Sequence, residues 1–254
     1  MQVTTLQFYQ KYLQEIASDT VEIDGVIYPR EKIFSLLGPF LTDARKEKIN
    51  QAVEQRTNLF IPVLENIYDQ GNISAVFRSC EGMGFGEAHL IQTQEKFKVS
   101  ARVTRGADDW LNIFSWKDQT PIHELKKRGY QILATSFDNA KPIEKVNFAI
   151  PTAVIFGNEK QGVSPETLNI CDGTVFIPMR GFSQSFNISV AAALFFYHVR
   201  RELETKSLIE KGEYQNYLRS EYILRCISNP ENLFKEVLMR RRNENKGEGA
   251  TPHV

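Results

Sequence analysis

The segment Ile177–Ser189 reads IPMRGFSQSFNIS and leads directly into an Ala-rich apolar stretch. Ser183, Ser185 and Asn187 supply hydroxyl and amide groups there, with no strong acid or base among them. A loop of this kind holds a polar ligand through backbone groups and neutral side chains, and is poorly suited to hydrolysis or metal chemistry. Two more segments carry candidate chemistry. GNISAVFRSCEGMGF places Asn72 at the start of a helix and Arg78 within it. Ile73, Val76, Phe77 and Cys80 form one helical stripe, and Arg78 falls about 200° from Val76, away from that stripe. TAVIFGNEKQGVSPE is an apolar strand followed by Gly157, Asn158 and Glu159, then Gly162, then Ser164-Pro165 opening a helix. Glycines at the carboxyl end of a strand let a backbone approach a ligand closely.

Each segment also has a purely structural reading: a capped amphipathic helix, a strand–turn–helix connection, a buried helix after a glycine turn. Burying Ser185 and Asn187 without partners is costly, which weighs against that reading for the last. GNEKQG is not the GxGxxG of a dinucleotide site, and Val163-Ser164 after Gly162 break the P-loop pattern. His89, His123, His198 and His253 do not cluster, so no metal is expected.

These segments need strands and helices in alternation to position them, and from about Phe60 the sequence supplies them. Strands are expected at Pro62–Tyr68, Glu87–Thr93, Tyr130–Phe137, Thr152–Phe156 and Gly173–Ile177. Helices are expected at Ile73–Met83, Ile122–Arg128, Pro165–Ile170 and Ile188–Arg201. Short apolar strands between helices predict an α/β fold with a parallel sheet covered on both faces. The stretch 97–116 reads as an irregular functional loop. Ahead of the sheet, residues 1–58 read as an N-terminal extension of helices with a hairpin turning at Asp24-Gly25. The sheet domain is expected over 59–205. Residues 206–254 read as a polar C-terminal extension with a helix over Pro230–Arg241 and a disordered tail.

The 254 residues carry 31 basic and 31 acidic side chains, which argues against a general nucleic-acid coat protein but allows a local basic patch. Cys80, Cys171 and Cys226 show no pairing pattern. With no signal-like or membrane-spanning run, a soluble cytoplasmic protein is expected.

Taken in order, NISAVFRSCEGMG, IFGNEKQGVS and IPMRGFSQSFNISVAAA resemble the three signature motifs of the SpoU/TrmH family of SPOUT RNA 2′-O-methyltransferases. The resemblance covers about Leu41 to Arg201, and VLENIYDQGN and TRGADDW strengthen it. It implies a C-terminal deep trefoil knot, S-adenosylmethionine as cofactor, and a homodimer with shared active sites. It assigns catalytic positions to Asn72, Arg78, Glu159, Ser185 and Asn187. Cofactor contacts are implied at Gly157, Ile177 and Phe186, with loop backbone around Leu133, Ala134 and Thr135. The implied substrate is the ribose 2′-OH of a tRNA D-loop guanosine. Ribosomal RNA is the first alternative, and a catalytically inactive RNA-binding protein or a Rossmann-type oxidoreductase lies further off. Arg45, Lys46, Lys48, Arg102, Arg105, Arg200 and Arg201, with the terminal arginines, are the candidate RNA patch.

Overall fold

A computed structural model describes residues 3–93, 106, 109–209 and 212–247. Arg102 and Arg105, and the C-terminal tail, lie outside the described residues. The chain divides into two units, one of residues 1–9 with 56–210 and one of residues 10–55 with 211–254.

The first unit is built on seven parallel strands: β3 (Phe60–Glu65), β4 (Glu87–Ile91), β5 (Asn112–Trp116), β6 (Gln131–Thr135), β7 (Lys141–Pro142), β8 (Thr152–Phe156) and β9 (Gly173–Phe176). Their order across the sheet is β5-β4-β3-β8-β6-β9-β7. β3, β4 and β8 are buried along their whole length, as expected of central parallel strands, with Glu65, Glu87 and His89 as polar members of β3 and β4. Alternation divides each strand between two faces. Phe60 and Leu64 join a core with Ile73, Val76 and Phe77 of α4 (Gln70–Gly82) and Phe195, Phe196 and Val199 of α7 (Ile188–Thr205). Glu65, one residue on, turns to the other face and meets the start of α6 (Pro165–Ile170). Between β5 and β6, α5 (Thr120–Lys127) buries Ile122 and Leu125.

Because all seven strands run the same way, the loops after β3, β6, β8 and β9 leave from one edge of the sheet. The opposite edge is closed by a buried polar network. Glu87 opens β4 and its carboxylate accepts from Tyr9 Oη at 2.6 Å, His89 Nε2 at 2.9 Å and Arg128 at 2.8 Å. Arg128 also donates to Tyr9 Oη. The Trp116 indole N–H, a donor without acceptor capacity, points at His89 Nδ1 at 2.9 Å. His89 Nδ1 therefore accepts, and its proton sits on Nε2 facing Glu87. Burial lowers the pKa of His89, in line with this neutral tautomer.

Three differences from the sequence expectations are physical. β5 lies inside the stretch read as irregular, because its run NIFSW mixes polar and aromatic residues that all become partly or fully buried. The short β7 was likewise unexpected. The helix carrying Asn72 starts earlier than expected: Asp69 is its N-cap, accepting from Gly71 N at 2.7 Å, and Asn72 lies in the first turn.

The second unit unites the two ends of the chain. A hairpin of β1 (Thr20–Ile23) and β2 (Val26–Pro29) turns at Asp24 and Gly25, with φ of 57° and 74°. Positive φ at both central residues is what a two-residue hairpin of this twist requires. The helices α2 (Arg30–Leu37) and α3 (Asp43–Glu54) pack on α8 (Glu213–Arg225), and α2 also packs on α9 (Pro230–Gly247). Arg30 is 2% exposed and is satisfied by Ser18 O, Glu15 O and Ser220 Oγ at 2.6–2.9 Å. The flanking segments read as separate extensions thus form one unit.

Candidate functional site

The loop after β8 folds back on itself. Asn158 and Gly162 pair through both backbone groups, N to O at 3.0 Å and 2.8 Å. Gly162 has φ of 72°, which a side chain rarely adopts. A Cβ on Gly157 would lie 2.2 Å from Gly162 C and Val163 N, so no larger residue fits where the loop closes. Asn158 organises the interior: its Oδ1 accepts from Lys160 N at 2.9 Å and its Nδ2 donates to Asn66 O at 2.7 Å.

Asn72 joins this loop to the start of α7. Its Nδ2 donates to Glu159 Oε1 at 3.0 Å, and its Oδ1 accepts from Asn187 Nδ2 at 3.2 Å. The orientation of this amide follows from its partner, since an ionised carboxylate can accept and cannot donate. Glu159 Oε2 accepts from Tyr68 N at 3.1 Å. Burial would raise the Glu159 pKa, but hydrogen bonds from Asn72 and backbone amides outweigh it and hold the carboxyl below its usual value. Asn187 is the N-cap of α7, and its Oδ1 accepts from Ser189 N at 2.9 Å and Ser189 Oγ at 2.6 Å. Residues 87 and 115 positions apart are thereby held in one neutral and anionic relay.

Beside the relay, a cavity of about 680 Å³ opens between the strand-end loops. Its walls include Thr135 at the end of β6, Gly157 and Val163 after β8, and Ile177, Ser185 and Phe186 after β9. The structure thus gathers Thr135, Gly157, Ile177 and Phe186 around one space, with Ser185, Glu159 and Asn187 also on its wall. Leu133 and Ala134 lie within β6 with buried side chains and are not on the wall. Arg78 is exposed on α4 and makes no hydrogen bond or ion pair with any described residue. It lies six positions on from Asn72, about 9 Å along the helix axis.

The basic candidates are dispersed over both units. Arg45 and Lys48 are exposed on α3, and Lys46 pairs with Asp43 at 2.7 Å. On α7, Arg200 is buried and holds Glu204 at 2.7 Å, whereas Arg201 is largely exposed. Arg240 pairs with Glu236 at 2.5 Å. Among the described residues no group of His, Cys, Asp or Glu is arranged to hold a metal ion, and all three cysteines are free. No helix among them is long and apolar enough to cross a membrane.

Sequence reading missed Asn158, whose side chain shapes the loop, and Glu65, whose carboxylate accepts from Ser164 and Thr167. The available signal for Glu65 was an acid ending an otherwise apolar strand.

An open parallel sheet with a cavity at its strand ends, walled by backbone and mostly neutral side chains with Asp138, Glu159 and Lys160 among them, defines an α/β enzyme that binds a polar organic ligand. Residues 59–197 match the model of the SpoU rRNA Methylase family. A tRNA (guanosine(18)-2′-O)-methyltransferase from Borreliella burgdorferi is 37% identical over 204 residues, 78% of this chain and 93% of the relative. A protein of the same name from Thermus thermophilus is 35% identical over 166 residues, 63% of this chain and 84% of the relative. The A. aeolicus TrmH/SpoU tRNA modifying enzyme superposes with a TM-score of 0.64 at 30% identity, covering 73% of this chain and 98% of that one. The chain belongs to the SpoU methylase family, and this membership implies the C-terminal trefoil knot.

Proposed function

We propose that the chain transfers a methyl group from S-adenosylmethionine to a ribose 2′-OH of tRNA, with a D-loop guanosine as target. The observation that carries this reading is the Glu159–Asn72–Asn187 relay beside the strand-end cavity. The relatives named above support the choice of tRNA. The cavity fits the cofactor in size and lining. Phe156, Val163 and Ile177 offer an apolar surface for an adenine, and the backbone of 157–163 offers groups for a ribose.

S-adenosylmethionine supplies a methyl group already made electrophilic by the sulfonium charge. The protein's task is to align a weak nucleophile and stabilise the charge it develops. A guanidinium offers donors in a planar fork and no acceptor, so the role of Arg78 is to clamp a phosphate beside the target ribose and to stabilise alkoxide character. Ser185 and Asn187 hold substrate and loop. Glu159 fixes the loop, with both carboxylate oxygens engaged. Leu133, Ala134 and Thr135 contribute at the end of β6, the first two through backbone.

A homodimer completes the site. Val190, Leu194 and Tyr197 form an exposed apolar stripe on α7 at spacings of four and three, the spacing of one helix face. RNA as substrate makes the cytoplasm the place of action. Arg45 and Lys48 are exposed cations available to its phosphates, and Arg201 is exposed while paired with Glu204. Labelled S-adenosylmethionine, supplied separately with total tRNA and ribosomal RNA, tests the reading. Label is expected on tRNA and mapped to one D-loop guanosine ribose. Label confined to ribosomal RNA establishes the alternative substrate, and label on neither refutes methylation of both. Arg78→Ala is expected to abolish transfer while leaving cofactor binding intact.

A further inference from the structure

The strand-end loop that lines the cavity is fastened at its far end by a carboxylate from another strand. Glu65 closes β3 and is 1% exposed. Its Oε2 accepts from Ser164 N at 2.8 Å. Its Oε1 accepts from Ser164 Oγ at 2.8 Å and Thr167 Oγ1 at 2.5 Å. No cation among the described residues pairs with it, so three donors from one short segment satisfy the buried carboxylate. Ser164 and Thr167 are themselves the N-cap and third residue of α6, joined by Thr167 N to Ser164 Oγ at 3.3 Å.

The placement of these donors matters for the cavity. Val163 precedes Ser164 and Leu168 follows Thr167, and both are on the cavity wall. The next residues of the same β3 loop fasten the near end of the segment, through Asn66 O to Asn158 Nδ2 and Tyr68 N to Glu159. The loop after β8 is therefore clipped at two ends by residues 65–68. The glycine closure at 157–162 fixes its middle.

We infer that Glu65 is a positioning residue that sets cofactor affinity by holding Ser164 and Thr167, and through them Val163 and Leu168, against the cavity. This rests on the cofactor reading given above. A carboxylate suits the task because every group facing it donates. The Ser164 backbone N–H can only donate, and the Ser164 hydroxyl already accepts from Thr167 N, so its proton is available for Glu65. An amide in place of the carboxylate satisfies the Ser164 N–H only with its NH₂ turned to the two hydroxyls, which must then accept from it and lose the acceptor for their own protons in a buried space.

The test compares wild type with Glu65→Gln, Thr167→Val and Thr167→Ser. S-adenosylmethionine affinity is measured by calorimetry, and kcat and KM for the cofactor by transfer to tRNA. Glu65→Gln is expected to weaken binding about tenfold, the equivalent of one buried charge-assisted hydrogen bond. Thr167→Val, nearly isosteric and tolerant of folding failure in the first variant, is expected to weaken it several-fold, with Thr167→Ser restoring it. kcat at saturating cofactor stays within about twofold throughout, the pattern of lost uniform binding. Wild-type affinity in Glu65→Gln and Thr167→Val overturns the inference, even if both melt earlier. So does a fall in kcat with unchanged affinity. Absence of binding in the wild type overturns the cofactor reading itself, and the inference with it.

Discussion

Replacing Arg128 with Met removes the cation from the buried network at the foot of the sheet and leaves Glu87 without charge compensation. Glu87 is fully buried, and burial by itself raises its pKa; the Arg128 charge and the His89 hydrogen bond reverse this and bring it down to about 2 from 4.5. That difference is worth about 3 kcal/mol, present above pH 4.5 and lost as the pH falls through about 2. His89 cannot take over as a cation without breaking its bond from Trp116, because Nδ1 is already accepting. In Arg128→Met, burial dominates and the folded-state pKa of Glu87 rises above the unfolded value. The variant is then penalised at neutral pH and relieved as the pH falls through the raised pKa. Removing one partner of a buried pair costs about 3–5 kcal/mol. Urea unfolding of both proteins at pH 7 and pH 4 measures it. The expected result is a stability gap of that size at pH 7 that narrows clearly at pH 4. A gap below about 1 kcal/mol at pH 7, or one that widens in acid, refutes the assignment of Arg128 as the compensating charge.

Gly157→Ala places a Cβ 2.2 Å from the backbone of Gly162 and Val163, so the loop must open; cofactor binding is expected to be lost in calorimetry. Asn187→Ala removes the N-cap of α7, at about 1 kcal/mol, together with the link to Asn72. Asn187→Ser restores the cap alone, so its melting temperature should recover while methyl transfer stays low. Long-range proton–nitrogen spectra should show His89 as the neutral Nε2–H tautomer from pH 5 to pH 8; a protonated ring in that range contradicts the Trp116 hydrogen bond.

Much of the architecture was legible because parallel strands buried on both faces read as uninterrupted apolar runs. Thr152–Phe156 and Pro165–Ile170 have the bounds expected from the sequence. What escaped was structure built from amphipathic residues. Helix α8 buries Tyr214, Tyr217 and Tyr222 on its packed side, and a tyrosine-based face inside a charged segment carries little hydrophobic contrast. β5 was hidden for the same reason. At the site, the candidates were readable by type, whereas their partnerships were not. Asp69 and Asn72 are both good capping residues. The choice between them depends on Glu159 and Asn187, which occupy Asn72 and leave the cap to Asp69. The role of Glu65 likewise depends on Ser164 and Thr167, about one hundred residues away, and no local pattern encodes it.

The unit formed by residues 10–55 and 211–254 makes residues 56–210 of the sheet unit, in chain order, an insertion within it. Its core mixes Ile33, Leu36 and Leu37 from the early segment with Leu218, Tyr222 and Phe234 from the late one. Neither segment can bury its apolar side alone, so trimming one end uncovers the other. This module can be made only after the last of the sheet has left the ribosome. Until its final helices are made, the apolar residues of the early segment that face them stay uncovered.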